Sequence, residues 1–420
     1  MQFLSSGMSL LLISHIKGLV GVHSPELRIL RGSAMANLPV LENSWLLIEN
    51  GLVRDLGSMD SVPEFGSELQ EINAAGKYVI PSWCDSHTHL VFAASREEEF
   101  VMKIKGQSYE EIANAGGGIL NSARKLGNTS ENELFESAWK RLSEVMQLGT
   151  GAIEIKSGYG LTIESELKML RVIRRLKENS SIPVKATFLG AHAYPSEFKN
   201  DHNGYLKLLI DRLLPIMADE GLADYIDAFC EQGFFSVDET AKILEAGAKY
   251  GLKPKIHANQ LSSMGAVQVA VNHQALSVDH LEVMDDKALQ SLANSETIAT
   301  LLPSCSLFLG IPFADARMLI NKNIAVALAS DYNPGSTPSG NMNLVVSLAC
   351  MRQKMLPAEA INAATINGAA AMELSDKYGS ITKGKIANLF ISKTVPSLEY
   401  LPYAFGSNLI DKVILNGKIY

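Results

Sequence analysis

The feature that most constrains the fold is a series of eight apolar runs through the middle of this 420-residue chain. Most are separated by segments whose apolar residues recur with helical spacing. The runs are Tyr78–Cys84, Gly151–Ile155, Val184–Gly190, Tyr225–Cys230, Pro254–His257, Ala275–Val278, Thr297–Leu302 and Ile324–Ala329. Strand–helix alternation repeated eight times predicts an α/β fold, a (β/α)8 TIM-type barrel, with its chemistry at the C-terminal strand ends.

Helical spacing is clear in two of the intervening segments, where apolar residues are predicted to share one face. These residues are Leu167, Leu170, Ile173 and Leu176 in one segment, and Leu206, Leu209, Leu213 and Ile216 in the other. A doubly wound sheet is the alternative architecture. It is disfavoured because no G-x-G-x-x-G motif follows the first strand.

Both ends of the chain have a different pattern, of short strands and turns. The strand-like runs are Leu10–Ile16, Trp45–Ile48, Leu52–Leu56, Asn388–Ser392 and Lys412–Leu415. Asn50-Gly51 and Asn416-Gly417 are hairpin-like turns. We therefore predict a small β-sandwich domain built from residues 1–75 and 380–420, around a barrel domain of residues 76–379.

Composition favours a small-molecule enzyme in the cytoplasm. The net charge of −8 and the absence of a dense Lys/Arg run argue against a nucleic-acid partner. The four cysteines (Cys84, Cys230, Cys305 and Cys350) are far apart, which fits a reducing compartment. Met8–Val22 is apolar but contains His15 and Lys17 and lacks a basic leader, so we interpret it as a first strand and not as a membrane span. The start at Met1 or Met8 is left open.

The strongest chemical signal is Asp85-Ser86-His87-Thr88-His89, at the end of the first predicted barrel strand. Residues i and i+2 of a strand point to one side, so both imidazoles can reach one ion. Alone, such a motif also fits two partly exposed loop histidines. Five of the nine histidines nevertheless fall at predicted strand ends: His87, His89, His192, His257 and His280.

Asp331 follows the eighth run, where it fits either a helix N-cap or a metal ligand. With His87, His89 and His257 on other strands, we favour the ligand. Three imidazoles and one carboxylate suit Zn²⁺ or Fe²⁺, with room for a water molecule.

This arrangement resembles the amidohydrolase superfamily, which has H-x-H on the first strand, histidines on the fifth and sixth and aspartate on the eighth. Two-metal members carry a carboxylated lysine at the end of the fourth strand. Here that strand, residues 225–231, contains no lysine, so the resemblance implies one divalent metal per chain. Gln260 stands where deaminases of the superfamily carry glutamate, and an amide has no useful acid–base pKa.

Seven stretches, in order, more narrowly resemble the imidazolonepropionase family. They are Ser95–Phe100, Ser108–Ile112 with Ala115–Ile119, Lys156–Leu161, Phe188–His192, His257–Ser262, Ser277–Glu282 and Asp331–Ser336. The resemblance implies hydrolytic opening of 4-imidazolone-5-propanoate to N-formimidoyl-L-glutamate in histidine degradation. It also implies a homodimer.

Carried over by position, the resemblance implies that His87, His89, His257 and Asp331 bind the metal. It further implies that the substrate or product contacts Arg96, Tyr159, His192, Gln260, Asn333, Gly335 and Ser336. The chemistry agrees, because a propanoate tail requires a cation and Arg96 is a two-pronged donor. Its alternative is a surface ion pair with Glu97–Glu99.

Two further expectations concern backbone. Tyr159 lies between Gly158 and Gly160, where bare backbone permits a ligand to approach or simply forms a turn. Asn333-Pro334-Gly335 predicts a tight turn that presents N–H groups to the pocket.

In catalysis we expect Asp331 to accept a proton from the attacking water and His280 to polarise the ring carbonyl or to serve as alternative base. For His280 the plain alternative is a core histidine bonded to backbone. Two rival functions remain: another mononuclear amidohydrolase, such as a cyclic amidine deaminase or cyclic amide hydrolase, and a non-catalytic scaffold that kept the barrel.

Overall fold

Within the described residues, which are 10–64, 69–107, 111 and 117–420, the computed structural model contains two eight-stranded sheets. The first is a mixed sheet from both chain ends, which we call the terminal sheet. Its strands are β1 (Leu10–Val20), β2 (Val40–Glu49), β3 (Leu52–Ser58), β4 (Gln70–Asn73), β5 (Tyr78–Pro81), β14 (Leu389–Ser392), β15 (Ile410–Leu415) and β16 (Lys418–Ile419).

The second sheet is the barrel, whose parallel strands are neighbours in chain order. They are β6 (Trp83–Thr88), β7 (Thr150–Lys156), β8 (Val184–Ala191), β9 (Tyr225–Cys230), β10 (Lys253–Ala258), β11 (Ser277–His280), β12 (Ile298–Leu301) and β13 (Val326–Leu328). Hydrogen bonds from His89 N to Tyr332 O (2.9 Å) and from Asp331 N to His87 O (3.0 Å) join the first strand to the segment after the last. The predicted (β/α)8 barrel with a β-domain from both termini is confirmed.

Helices follow most barrel strands, and none of those described is long and apolar enough to cross a membrane. The α-helices are Glu97–Ile104, Gly118–Gly127, Glu131–Gln147, Ile163–Asn179, His202–Lys207, Leu214–Asp219, Val237–Ala248, Ala266–Asn272, Asp286–Ala293, Pro303–Leu309, Ala316–Asn321, Met342–Gln353, Pro357–Ala364, Ile366–Ala370 and Tyr400–Tyr403. Short 3-10 helices span Gly32–Ala36, Met59–Ser61 and Ser196–Phe198, and a π-helix spans Leu208–Leu213.

Both predicted hairpin turns are present in the terminal sheet. Asn50 and Gly51 have φ of 49° and 84° between the antiparallel β2 and β3, and Asn416 and Gly417 have φ of 49° and 71° between β15 and β16. Left-handed backbone at both central residues matches the twist of two-residue hairpins and explains the Asn-Gly pairs. The domain limits at residues 75 and 380 stay a prediction.

The first predicted barrel run was wrong in one respect, because Tyr78–Cys84 is divided between the two sheets. β5 pairs with β1 and β14 of the terminal sheet, whereas β6 pairs with β7 of the barrel. The change of sheet occurs where Ser82 N bonds to Asn388 O and Trp83 N bonds to Gly149 O. Both strands are buried, so the apolar pattern contains no mark of the change.

The predicted apolar face of residues 206–216 is also partly wrong. Leu206, Leu209 and Leu213 are buried, but Ile216 is 38% exposed. The cause is the π-helix Leu208–Leu213, whose wider turn rotates the following helix, so that Leu214 and Met217 face the core instead. The other predicted face is confirmed, since all four of its residues are buried.

This rotation predicts unequal costs for two similar truncations. We expect Leu213→Ala to lower the free energy of unfolding by about 2–5 kcal/mol, since it leaves a cavity in the core. Ile216→Ala should cost far less, within about 1 kcal/mol, since its side chain is already in contact with water. Urea unfolding of both variants measures the difference, and equal costs would contradict the π-helix register.

Candidate metal centre and active site

The C-terminal ends of the barrel strands bring together a histidine–aspartate cluster: His87, His89, His257, His280 and Asp331. His87, His257 and His280 lie within β6, β10 and β11, whereas His89 and Asp331 lie in the segments just after β6 and β13. All five side chains are at most 3% exposed. Parallel strands of a barrel end at one mouth, which explains how residues so distant in sequence meet.

Two buried carboxylates fix the orientation of two of these imidazoles. His87 Nδ1 lies 2.6 Å from Asp279 Oδ2, and His257 Nδ1 lies 3.0 Å from Asp227 Oδ2. A carboxylate only accepts, so each Nδ1 carries the proton and donates it. Each Nε2 therefore presents a lone pair to the barrel mouth, as in carboxylate–histidine–metal arrangements.

The arrangement of these lone pairs fits a cation. His257 Nε2 and His89 Nε2 are 3.3 Å apart, and Asp331 Oδ1 lies 3.5 Å from His87 Nε2 and 3.6 Å from His89 Nε2. Tetrahedral zinc with bonds of about 2.0–2.1 Å spaces its ligand atoms by roughly 3.3 Å. His87 Nε2 also has no hydrogen-bond partner among the described residues. An ion at this point would satisfy every one of these atoms.

Beneath the cluster, a buried lysine holds both orienting carboxylates. Lys156 Nζ lies 2.9 Å from Asp227 Oδ2, 3.6 Å from Asp279 Oδ2 and 2.7 Å from Glu154 Oε1, and all four side chains are fully buried. Glu154 also pairs with Lys255. Charges in such surroundings are stable only when paired, so this network fixes the base of the site.

Burial and neighbouring charge set the protonation of the cluster. Burial lowers the pKa of His87, His89 and His257 well below the ordinary value, so these three rings are neutral. Burial raises the pKa of Asp331 to about 6. Burial alone would lower the pKa of His280, but the Glu282 carboxylate, 3.5 Å away, raises it above the usual value.

A small cavity opens onto the cluster. Its lining contains most of the predicted site: His89, Tyr159, His192, Phe229, His257, Gln260, His280, Asp331, Asn333 and Ser336. His87, Arg96 and Gly335 are not among its lining residues. The structure thus brings the predicted residues to one mouth, while their individual roles remain predictions.

Arg96 packs against the cavity wall and is not on the outer surface. Its Nε donates to Ser122 Oγ (2.8 Å), and its guanidinium carbon lies 5.7 Å from the centre of the Tyr159 ring. A side chain at Gly335 would place its Cβ 2.5 Å from Arg96 Nη1, so a larger residue there would displace the guanidinium from this position. Arg96 Nη2 is buried and has no partner among the described residues.

The Gly158 turn makes a close contact with a neighbouring histidine. Gly158 has φ of 110°, and a Cβ there would lie 2.9 Å from His192 Nδ1. Its carbonyl accepts a hydrogen bond from that nitrogen (3.0 Å), which fixes the His192 ring in a stack on His89. Burial lowers the pKa of His192 to about 4, so the ring is neutral and offers Nε2 to the cavity.

The expectation that the turn at 333–335 presents N–H groups to the pocket was wrong. The N–H groups of Gly335 and Ser336 do not face the pocket, because both donate to Asn333 Oδ1 at 2.8 Å. Asn333 Nδ2 in turn donates to Asp331 O and Ser336 Oγ at 2.7 Å. Asn333 thereby stabilises the segment that contains Asp331, whose backbone is left-handed (φ 55°).

Comparison with known proteins places this site in a family. The Amidohydrolase family profile matches residues 78–420. An imidazolonepropionase from Christiangramia forsetii is 58% identical over 97% of this chain and 99% of its own length, and one from Flavobacterium johnsoniae is 56% identical with the same coverage. The chain belongs to the imidazolonepropionase family of amidohydrolases.

More distant proteins share only the fold. A solved triazine hydrolase variant superposes with a TM-score of 0.72 at 15% identity, covering 98% of this chain and 94% of that one. A guanine deaminase from C. acetobutylicum gives 0.69 at 14% identity, covering 98% and 100%. Proteins with this fold thus include both a hydrolase and a deaminase, so the fold alone does not specify the reaction.

Sequence reasoning missed several residues around the histidine–aspartate cluster. Asp227 lies on the fourth barrel strand and Asp279 on the sixth. Lys156 is the first residue of the stretch Lys156–Leu161, which was noted for Tyr159. A charged residue inside an apolar barrel run, as for Asp227, or directly after one, as for Asp279 and Lys156, is the signal that could have found all three. Of the resembling stretches, Ser108–Glu110 and Ile112 with Ala115–Gly116 lie outside the described residues.

The lysine network predicts the first site experiment. Lys156→Met leaves Asp227 and Asp279 without their shared cation, so we expect the metal affinity to fall by about 10–100-fold, as for other outer partners of metal ligands. Chelator competition measures it. Lys253→Met, an exposed lysine on β10, is the matched control and should bind metal normally.

Because the loss of a buried charge can unfold the protein, Asp279→Asn serves as a milder second variant that keeps the size of the side chain. Unchanged metal affinity in folded Lys156→Met and Asp279→Asn would disprove the orienting role.

The pKa of Asp331 predicts the pH dependence of metal binding. Below about pH 6 the metal-free carboxyl holds a proton that a cation must displace, so the affinity should fall as the pH decreases and level off above neutrality. The neutral histidines add little to this slope. Binding isotherms between about pH 5 and 8 test it. Asp331→Asn should bind weakly with a flatter profile, and a wild-type affinity that is constant over this range would contradict the assignment.

Proposed function

We propose that this chain hydrolyses 4-imidazolone-5-propanoate to N-formimidoyl-L-glutamate in histidine degradation. The observation that carries the proposal is the meeting of three features at one barrel mouth: a fitting metal cluster, a lined cavity and a partly buried arginine whose buried Nη2 has no partner among the described residues. Family membership supports the reaction, since relatives named imidazolonepropionase match this chain over nearly their whole length.

We propose that His87, His89, His257 and Asp331 hold one Zn²⁺ or Fe²⁺ per chain. When bound, such a cation acts as a Lewis acid that lowers the pKa of a water molecule towards neutrality. The ligand set of imidazole and carboxylate suits both metals. A single ion is favoured because β9 supplies no lysine for a bridging carboxylate.

We propose that Asp331 accepts the proton of the attacking water. Its Oδ2 is 3.4 Å from Ser336 Oγ, while Oδ1 faces His87 and His89. His280 lines the same cavity and carries a raised pKa, so its ring can donate a hydrogen bond to the ring carbonyl as negative charge develops there. Glu282 Oε1 lies 3.5 Å from the other nitrogen of that ring, Nδ1.

The bond changes then balance simply. The water oxygen bonds to the carbonyl carbon, the carbon–nitrogen bond of the ring breaks, and Asp331 returns its proton to the departing nitrogen. The new carboxylate and the formimidoyl group remain on one product. A deaminase would instead release ammonia, and Gln260 offers no acid–base group for that step.

We propose that Arg96 binds the propanoate tail, with Tyr159, His192, Gln260, Asn333, Gly335 and Ser336 completing the substrate site. A guanidinium that already packs on Tyr159, and whose Nη2 has no partner in the described part of the chain, is suited to a carboxylate. A cytoplasmic homodimer completes the proposal. The four cysteines, all free, suit a reducing compartment.

The clamp predicts a split in the kinetic constants. Arg96→Ala removes a charge-assisted contact of about 1.5–3 kcal/mol, so KM should rise by about 10–100-fold with a smaller change in kcat. Steady-state assay on imidazolone propanoate, with product identified as N-formimidoyl-glutamate and ammonia measured in parallel, tests both the clamp and the reaction. Arg124→Ala, on the outer helix Gly118–Gly127, is the control.

An unchanged KM would refute the clamp. Release of ammonia in place of formimidoyl-glutamate would favour a deaminase, and protein that carries no metal would favour the scaffold alternative.

A further inference from the structure

Cys305 is a buried thiol at the metal cluster to which the proposed reaction gives no task. It lies in the first turn of the helix Pro303–Leu309, directly after β12, and its side chain is fully buried. Gln260 Nε2 lies 3.5 Å from its sulfur. A buried cysteine usually serves as a small apolar side chain, but this one is surrounded by polar groups.

The surroundings of Cys305 form a second set of metal-ligating atoms. One donor atom each from Cys305, His280 and Asp331 lie within 4.8 Å of one another, and all three residues are buried. This set shares only Asp331 with the set His87, His89 and Asp331. A carboxylate has two oxygens, and two-metal sites commonly place their ions about 3.5–4 Å apart.

An independent observation also points to a cation here. Glu282 Oε2 is a buried oxygen without a hydrogen-bond partner in the described part of the chain, and the contact of His280 Nδ1 with Glu282 Oε1, at 3.5 Å, is an ion pair too long for a good hydrogen bond. Asp331 and Glu282 thus place two buried carboxylates around one imidazole. Such an excess of acceptor groups is stabilised by positive charge.

We propose that Cys305, His280 and Asp331 form a second, inhibitory site for a thiophilic divalent cation such as Zn²⁺. A thiolate is a soft ligand that favours zinc, and zinc accepts sulfur, nitrogen and carboxylate oxygen together. Binding breaks the S–H bond, forms a sulfur–metal bond and releases one proton to solvent. The fourth position is open to water or to the Gln260 amide.

Inhibition follows from which groups the second ion occupies, and this step rests on the proposed function. His280 and Asp331 are the residues proposed to act on the carbonyl and on the water. An ion bound to both withdraws them from catalysis while the first ion remains in place. Hydrolysis should therefore decline at high Zn²⁺, although the holoenzyme requires one metal.

The test begins with holoenzyme that carries one ion per chain. Equilibrium dialysis against Zn²⁺ with elemental analysis should give a second equivalent for the wild type. Cys305→Ser should weaken this second binding by about tenfold or more, since even outer partners of metal ligands contribute that much. Cys350→Ser, at a half-buried cysteine on the helix Met342–Gln353 that belongs to none of the metal-ligating sets of the described residues, is the matched control and should bind two equivalents.

A second readout does not require a variant. Co²⁺ added to holoenzyme should produce a sulfur-to-cobalt charge-transfer band with the second equivalent. Wild type and Cys350→Ser should lose activity in excess Zn²⁺, each relative to its own activity without added Zn²⁺, whereas Cys305→Ser should not. If the proposed hydrolysis fails, only the activity measurement is lost, and the dialysis and cobalt measurements still test the second site.

The proposal is overturned if wild-type holoenzyme binds no second ion, if the cobalt band is missing, or if Cys305→Ser binds the second ion as tightly as wild type does.

Discussion

The site depends on the pairing of Lys156 with Asp227 and Asp279 inside the barrel. Without that ammonium group, two carboxylates would be buried beside each other and beside Glu154, at a cost of several kcal/mol per uncompensated charge. With it, both carboxylates are ionised acceptors at fixed positions. Their hydrogen bonds set the tautomers of His257 and His87 and so decide where the lone pairs of the metal cluster point.

The same physical logic explains why three rings of the cluster are neutral while Asp331 is negative at neutral pH. Desolvation penalises charged imidazole most strongly, so His87, His89 and His257 are neutral, and each keeps one nitrogen lone pair available to a cation. The carboxylate is penalised as well, yet it is the one group whose charge an ion would compensate. The unshared lone pairs of the histidine nitrogens, the buried acid and the fixed tautomers form one electrostatic unit.

Much of this could be predicted from the sequence, because periodicity and residue type report directly on burial and chemistry. Eight apolar runs gave the barrel, and the histidines at their ends gave the cluster. What escaped prediction depends on tertiary pairing. Tyr78–Cys84 changes sheets without a change in pattern, the π-helix at 208–213 rotates a face without an obvious residue signal, and Asn333 satisfies N–H groups that a turn alone would expose.

The closure of the barrel has a consequence for how the chain assembles. His87 and Asp331 belong to opposite ends of the barrel sequence, and their segments are joined by backbone hydrogen bonds beside the cluster. A cation held by both would link the first barrel strand to the segment after the last one, and its full set of four proposed ligands would form only after the last strand has docked. Metal binding would then favour the complete barrel by mass action over partly assembled chains, which lack the Asp331 ligand.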